Sequence, residues 1–388
     1  MQHLPDSAEV VIVGGGIVGL CIAVALAEAG VRPLLLEARA FGAAVTGGSL
    51  AALGVHMHGI PEFQLMRHSC ALWRAAAAQG PGFEYAAQGQ LGFILTPEAM
   101  ESGEDWISEE NALGAGYRLL TPAEVQRVEP RLTGPVLGAT FAPDTATVNP
   151  FLAARAMLQR ARAAGATALA GVPVRGVEVA GGRVTGVTTD AGRVAADTVI
   201  LAAGPWTQDL AGGAVPLVPR QAQCLASLRQ PRGTITRVVS AVERKGGVDS
   251  GYTQIQQSAS GQILFNTVIQ PVEAPPDARD RIREAPPGFV VSSIDMLLHL
   301  FPSLGALSLL RSWVRFEAVS PDARFLAGRF GPEGLWLCAG DNGSGFCRAP
   351  MLGQFLAGEI TGRAGMDGAL RADARRLYDP RRFAEAAA

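Results

Sequence analysis

EVVIVGGGIVGLCIAVALAEAGVRPLLLEARAFG, residues 9–42, decides how the chain is read. On hydropathy alone, residues 10–27 form an eighteen-residue uncharged run, long enough to cross a bilayer as a helix. The preceding MQHLPDSAE is acidic and holds no Lys or Arg, so an export signal is not expected. A spanning helix does not explain why VVIV is β-branched while LCIAVALAEAG is made of helix formers and ends in Gly30. The pattern is strand, tight turn, helix.

Gly14, Gly16 and Gly19 give G-x-G-x-x-G at that turn. The first permits the bend, the second lets the backbone approach a pyrophosphate, and the third lets helix and strand pack closely. The amides opening the helix then face the phosphates, aided by the dipole. In a chain with 47 glycines the motif alone is weak, but RPLLLE supplies a second strand ending in Glu37, eighteen residues after Gly19. A carboxylate there accepts hydrogen bonds from a ribose diol and repels a 2′-phosphate, which argues against NADP. At this point NAD and FAD both remain open.

The chain has 388 residues, enough for two domains, and 48 % hydrophobic content fits a packed core. A net charge of −2 gives no basic footprint for nucleic acid, and no other run reads as a membrane span. Five cysteines (Cys21, Cys70, Cys224, Cys338 and Cys347) lack C-x-x-C spacing, which disfavours an iron–sulfur or structural zinc site and reads as reduced thiols in a cytoplasmic protein. The one lysine is Lys245, in a predicted hairpin tip.

Beyond the first β-α-β unit, TGGSLAALGVHMHG reads as a glycine-rich loop and EFQLMRHSCALWRAAAA as a helix. GQLGFILT reads as a strand, PEAMESGEDWISEENALGAG and LTPAEVQRVEP as helices, and NPFLAARAMLQRARAAGA as a helix capped by Asn149. Short strands follow through VILAAGPW. From residue 216 to about 313 the alternation and the turns at Gly246-Gly247 and SASG predict antiparallel sheet. FVVSSIDMLLHLFPSLG reads as a helix, and LWLCAGDNGSGFCRAPMLG repeats the opening logic of strand, glycine turn and helix. Three glycine turns returning to one place suit a long cofactor extended over the strand ends.

With VVIVGGGIVGLCIAVALAEAG, LLLEARAFG, TPAEVQRVEPRL, NPFLAARAM, GVPVRGVE, VILAAGPW, SPDARFLAG and CAGDNGSGFCRAP in this order, the sequence resembles, over nearly its whole length, the glycine oxidase, D-amino-acid oxidase and sarcosine oxidase family of FAD-dependent enzymes. The resemblance implies an α/β fold: a Rossmann-type FAD-binding domain (residues 1–85, 140–215 and 318–380) with an interleaved antiparallel-sheet substrate domain (86–139 and 216–317). It implies that Gly14, Gly16 and Gly19 hold the pyrophosphate with Ile17 and Val18, and Glu37 the ribose beside Ala38 and Arg39. Val174 would meet the adenine, and Ala203, Gly204 and Trp206 would lie near the adenosine. Gly48, Ser49 and the stretch Gly340, Asp341, Gly343, Ser344, Gly345 and Phe346 would follow the flavin.

The family pattern breaks where an arginine commonly pairs with the substrate carboxylate: Glu317 stands in its place, and a second clamp position is Gly343. Arg315, on the same strand face as Glu317, and Arg348 are the candidate substitutes. Tyr252 matches a family tyrosine and shares a face with Gln254 and Gln256, a candidate substrate ceiling. His56 and His58 recruit no further ligands, so no metal is expected. Where relatives attach flavin covalently, this chain has Ala52 and Arg315, which predicts non-covalent FAD. The expected activity is oxidation of an amino acid or secondary amine by hydride transfer to flavin. The alternatives are the FAD subunit of a heteromeric dehydrogenase of the opine, hydroxyproline or cyanide-forming type, and a flavin monooxygenase. Expected partners are a small amine substrate and a homo-oligomeric or heteromeric subunit.

Overall fold

The computed structural model describes residues 3–80, 82–242, 253–266, 284–363 and 365–383. The opening run is the buried strand Val10–Val13, a glycine turn and the helix Ile17–Glu28. It lies within a six-stranded sheet and is not a membrane span. No helix among the described residues is long and apolar enough to cross a membrane.

In that sheet Val10–Val13 pairs in parallel with Pro33–Glu37 on one side and Val199–Leu201 on the other. Thr167–Ala170 extends it beyond Pro33–Glu37, and Leu335–Ala339 extends it beyond Val199–Leu201. Leu326–Arg329 closes that edge in the antiparallel sense. The strand ends therefore gather the first glycine turn, the Ala202–Gly204 turn and the Gly340–Gly345 turn on one side, as expected for an open parallel sheet. Helices Ile17–Glu28, Phe63–Ala78, Pro150–Ala163 and Gly345–Thr361 pack together over one face, where their apolar residues form the largest core.

The second sheet has eight strands, in the order Leu309–Val319, Val218–Arg229, Gln262–Asn266, Gln254–Gln257, Val238–Ala241, Gln90–Ile94, Gly138–Ala142 and Arg118–Leu120. The SASG turn joins Gln254–Gln257 to Gln262–Asn266 as expected, whereas Gly246-Gly247, Lys245 and Tyr252 lie outside the described residues. The sheet is mixed, because Val238–Ala241 runs parallel to Gln90–Ile94. The boundary at residue 140 falls inside Gly138–Ala142, which its five-residue register with Gln90–Ile94 holds in this sheet.

Register gives the two faces of this sheet opposite characters. Arg315 is opposite Ala222, Ala226 opposite Leu264, Asn266 opposite Gln254, Gln254 opposite Ser240, Ser240 opposite Gly92, and Gly92 opposite Thr140. Directly paired residues share a face, so this one is polar. The other face carries Leu225, Phe265, Ile255, Val239 and Leu91, which pack with Phe289, Leu297 and Leu300 of the helix Pro287–Leu300.

The helix Gly345–Thr361 contains Pro350, which has no N–H to offer the carbonyl of Phe346 one turn earlier. Trp73 Nε1 donates to that oxygen at 3.0 Å, and the indole stacks on the Phe346 ring with centroids 5.5 Å apart. Ser69 Oγ donates to the next carbonyl, Cys347 O, at 2.6 Å. Two side chains of Phe63–Ala78 thus complete the first turn of its neighbour. Trp73→Phe keeps the stack but strands a buried acceptor, and should cost about 1–3 kcal/mol in thermal unfolding. Pro350→Ala returns an N–H and should recover part of that loss when combined with Trp73→Phe; additive losses in the four-protein cycle would refute the coupling.

Candidate active site

The glycine turns leave room that side chains would fill. A Cβ on Gly14 would lie 2.5 Å from Ala202 O, and one on Gly19 would lie 1.9 Å from Gly14 O. Gly14 also has φ +111°, so only glycine fits the bend. The helix Ile17–Glu28 that follows has no side-chain cap from its N-cap residue, Gly16. Thr46, from the glycine-rich loop, reaches across to accept from Ile17 N at 2.9 Å.

These turns border one cleft. From the first come Gly14, Gly16, Ile17 and Val18; from the end of the second strand, Glu37, Ala38 and Arg39. Val174, Ala203, Gly204 and Trp206 continue the wall, with the Arg39 guanidinium 5.4 Å from the Trp206 ring centroid. Gly340, Asp341, Gly343, Gly345 and Phe346 form the opposite side, and Ser49, Arg315 and Glu317 complete it. Three residues expected at the cofactor do not line the cleft. Gly19 packs on the turn behind it, Gly48 lies against the Arg315 stem, and Ser344 is the N-cap of its helix. Thr46 lines the cleft and was missed, although its place in TGGS one loop after Glu37 was a usable signal.

Glu37 accepts Gly15 N at 2.7 Å on one oxygen and Arg39 N at 2.8 Å on the other. Each oxygen keeps a lone pair, so the carboxylate can also receive a diol. The glycine cradle, this acceptor and two helix starts, at Ile17 and Gly345, together fit an extended dinucleotide with a pyrophosphate between its halves.

Arg315 and Glu317 are brought together, and Arg220 joins them. Glu317 accepts Arg315 Nη2 at 2.9 Å and Arg220 Nη2 at 2.8 Å, and is 1 % exposed. Burial alone would raise its carboxyl, but the two guanidiniums outweigh that and hold it below the usual range. The group of three carries one net positive charge. Gly343, at the other altered clamp position, abuts it: a Cβ there would lie 3.3 Å from Glu317 Oε2. Arg315 Nη1 also donates to Gly48 O at 2.7 Å, joined there by Trp313 Nε1 at 3.0 Å. Gln256 Nε2 donates to Leu50 O at 2.6 Å. Gln254 and Gln256 are buried among these contacts and hold the 48–50 backbone from the sheet's polar face, instead of presenting an open ceiling.

Arg348 stands apart from the cleft lining. Its guanidinium forms a two-pronged buried pair with Glu62, at 3.0 and 2.9 Å, and Tyr378 donates to the same carboxylate at 2.6 Å. That partnership ties the helix Gly368–Tyr378 to the start of Phe63–Ala78, a positioning role in place of the substrate contact expected of Arg348. His56 and His58 do not form a metal pair. His56 is held between Glu110 at 2.5 Å and Thr140 at 2.7 Å, and burial, with Arg348 and His56, pushes His58 down to about 3. No group of three metal-ligating side chains occurs among the described residues.

A family model described as FAD dependent oxidoreductase matches residues 9–359. The bifunctional protein ThiO/ThiG of Synechocystis sp. is 26 % identical over 371 residues, covering 91 % of this chain and 52 % of that protein. The 4-methylaminobutanoate oxidase (formaldehyde-forming) of Paenarthrobacter nicotinovorans is 30 % identical over 381 residues, covering 94 % and 45 %. The chain thus spans about half the length of these curated relatives. Among solved structures, L-proline dehydrogenase from P. horikoshii superposes with a TM-score of 0.87 at 26 % identity, covering 99 % of each chain.

Two outcomes follow from the site's charges. Glu37→Ala removes a charged acceptor worth about 1.5–3 kcal/mol, so the Kd for FAD measured by fluorescence titration should rise roughly 10- to 150-fold. An unchanged Kd would limit Glu37 to holding the turn. Burial, with the charge of Glu317, pushes Asp341 from its ordinary 3.8 up to about 6. A raised carboxyl favours the folded state while protonated, so that contribution is complete below about pH 4 and is lost as pH rises through 6. Asp341→Asn should flatten the Tm profile across this window; an identical profile in both proteins would exclude Asp341 as the titrating group.

Proposed function

The chain belongs to the FAD-dependent oxidoreductase family, and on that premise we propose that it oxidises the C–N bond of an amino acid whose nitrogen is a secondary amine, with FAD bound non-covalently. The observation that carries the substrate class is the charge of the Arg220–Glu317–Arg315 group. A lone Glu317 at the clamp position would favour an extra cation on the substrate. Shared between two arginines, it leaves a positive field that attracts a carboxylate, most strongly where Asp341, which lines the same cleft and is pushed up to about 6, is protonated. 4-Methylaminobutanoate and L-proline, for which two relatives are named, are both secondary amines bearing a carboxylate.

When bound, FAD supplies the acceptor for the hydride lost from the α-carbon. The chain's residues do the holding. Glu37 receives the ribose hydroxyls, and the helix starts at Ile17 and Gly345 face negative charge. Arg315 and Gln256 fix the carbonyls on either side of Ser49, so the loop keeps its place at the cleft when substrate enters. Non-covalent binding is supported by the two positions where relatives attach flavin: Ala52 has no nucleophile, and the Arg315 guanidinium is committed to Glu317 and Gly48. Five free cysteines without cluster spacing leave no relay for electrons within the chain and fit a cytoplasmic setting. The chain's one lysine, Lys245, is expected at a hairpin tip, so lysine-assisted reaction with oxygen is not expected, and the acceptor is a partner subunit, a quinone or a soluble carrier in preference to oxygen.

The test is anaerobic mixing of the yellow holoprotein with L-proline, N-methylglycine and the matching decarboxylated amines. The carboxylated secondary amines should bleach the flavin band and the decarboxylated ones should not; equal bleaching by both would refute the carboxylate requirement. Acid precipitation should leave free FAD in the supernatant. Reoxidation should be fast with an artificial dye and slow with dissolved oxygen, and rapid reaction with oxygen would move the reading to an oxidase.

A further inference from the structure

Two cysteines far apart in the chain meet behind the cleft. Cys70 lies on the helix Phe63–Ala78 and Cys347 in the first turn of Gly345–Thr361, with their sulfurs 3.6 Å apart. Their neighbours fix the approach. Ser69 is bonded to the Cys347 carbonyl and Trp73 to the Phe346 carbonyl, so the two helices are held in register on both sides of the sulfur pair. To reach a bond of about 2.05 Å the two sulfurs have only the remainder of that gap to close.

The surroundings make one sulfur the better nucleophile. Cys347 sits at a helix N-terminus next to Arg348, where positive potential favours thiolate. A hydrogen bond from Cys70 is the main cause holding the Cys347 thiol below its usual range, against burial, and the same bond with burial raises Cys70. Neither cysteine lines the cleft and Cys347 is 2 % exposed, so a peroxide has to pass Gly345 and Phe346, which do line it, to reach the sulfur. Cys21 and Cys338 have burial as the first cause raising their thiols, with no such hydrogen bond lowering them.

We propose that Cys70 and Cys347 form an oxidative modification site, closing to a disulfide when a hydroperoxide reaches the cleft. The Cys347 thiolate attacks one peroxide oxygen, the O–O bond breaks, and the sulfur keeps that oxygen as a sulfenic acid while the other leaves as water with the thiol's proton. The Cys70 sulfur then attacks the sulfenic sulfur, the S–S bond forms, the S–O bond breaks, and a second water departs with the Cys70 proton. The pair loses two electrons and one hydrogen peroxide is reduced to two waters. Closure takes the Cys347 sulfur away from Gly54 O, which it contacts at 3.2 Å at the head of the His56 loop. It also joins residues 277 apart in sequence, a cross-link that restricts the unfolded chain.

Disulfide closure can be read without turnover. FAD-loaded wild-type protein is exposed to hydrogen peroxide, denatured, alkylated and mapped by peptide mass spectrometry. Free thiols should fall from five by two. The Cys70 and Cys347 peptides should appear as one linked species, with Cys21, Cys224 and Cys338 still alkylated, and dithiothreitol should restore all five while lowering the Tm of the oxidised form. In Cys70→Ser, which lacks the resolving thiol, dimedone should trap Cys347 as a sulfenic acid. If that variant does not fold, the wild-type map decides. Full alkylation of both cysteines after peroxide, Cys347 recovered only as sulfinic acid, or random pairing among the five would each overturn the proposal.

Discussion

A Cβ on Gly19 would lie 1.9 Å from the carbonyl oxygen of Gly14, and everything at the cleft depends on the closeness that this distance records. Because the first helix can press onto its own entry turn, its N-terminus reaches the end of Val10–Val13 and does not stand off by a side chain. The same turn presses on Ala202 at the end of Val199–Leu201, so the first and second crossings of the sheet arrive in contact. An alanine at Gly14 or Gly19 would force one of these backbones away, and the cleft would lose its floor.

The polar face of the eight-stranded sheet then meets this floor through a loop. The carbonyls of Gly48 and Leu50 in that loop receive donors from Arg315, Trp313 and Gln256. The sheet controls the cleft through the backbone of a segment that belongs to none of its eight strands. A charged residue such as Arg315 is tolerated in this setting because Glu317, the Gly48 carbonyl and the Cys224 sulfur satisfy its guanidinium.

How much of this was legible in the sequence depended on the range of the interaction. The G-x-G-x-x-G turn, Glu37 and the Asn149 cap are local patterns, and the chain's order of elements follows from them. Pairing between distant segments was less accessible. Glu317 looked like a lone acid because Arg220, 97 positions earlier, carries no motif that links it to that strand. Arg348 looked available because Glu62 and Tyr378 approach it only after the terminal helices dock. The glutamines at 254 and 256 share a face, as alternation required, but alternation does not say what covers that face. The parallel pairing of Val238–Ala241 with Gln90–Ile94 joins strands well over a hundred residues apart and left no turn signal to read.

Pro350 gives the helix Gly345–Thr361 a property that its length alone would not. Most helices satisfy their interior carbonyls by themselves. Here Pro350 has no N–H for the Phe346 oxygen, which accepts from Trp73, more than 270 positions away. The turn that faces the cleft is therefore completed by assembly, not by local propensity. The helix behaves as two pieces: a self-sufficient C-terminal barrel and a short leading turn whose order is a readout of tertiary contact. Placement of the cleft wall is in this sense conditional, becoming definite only once the helix bearing Ser69 and Trp73 has arrived.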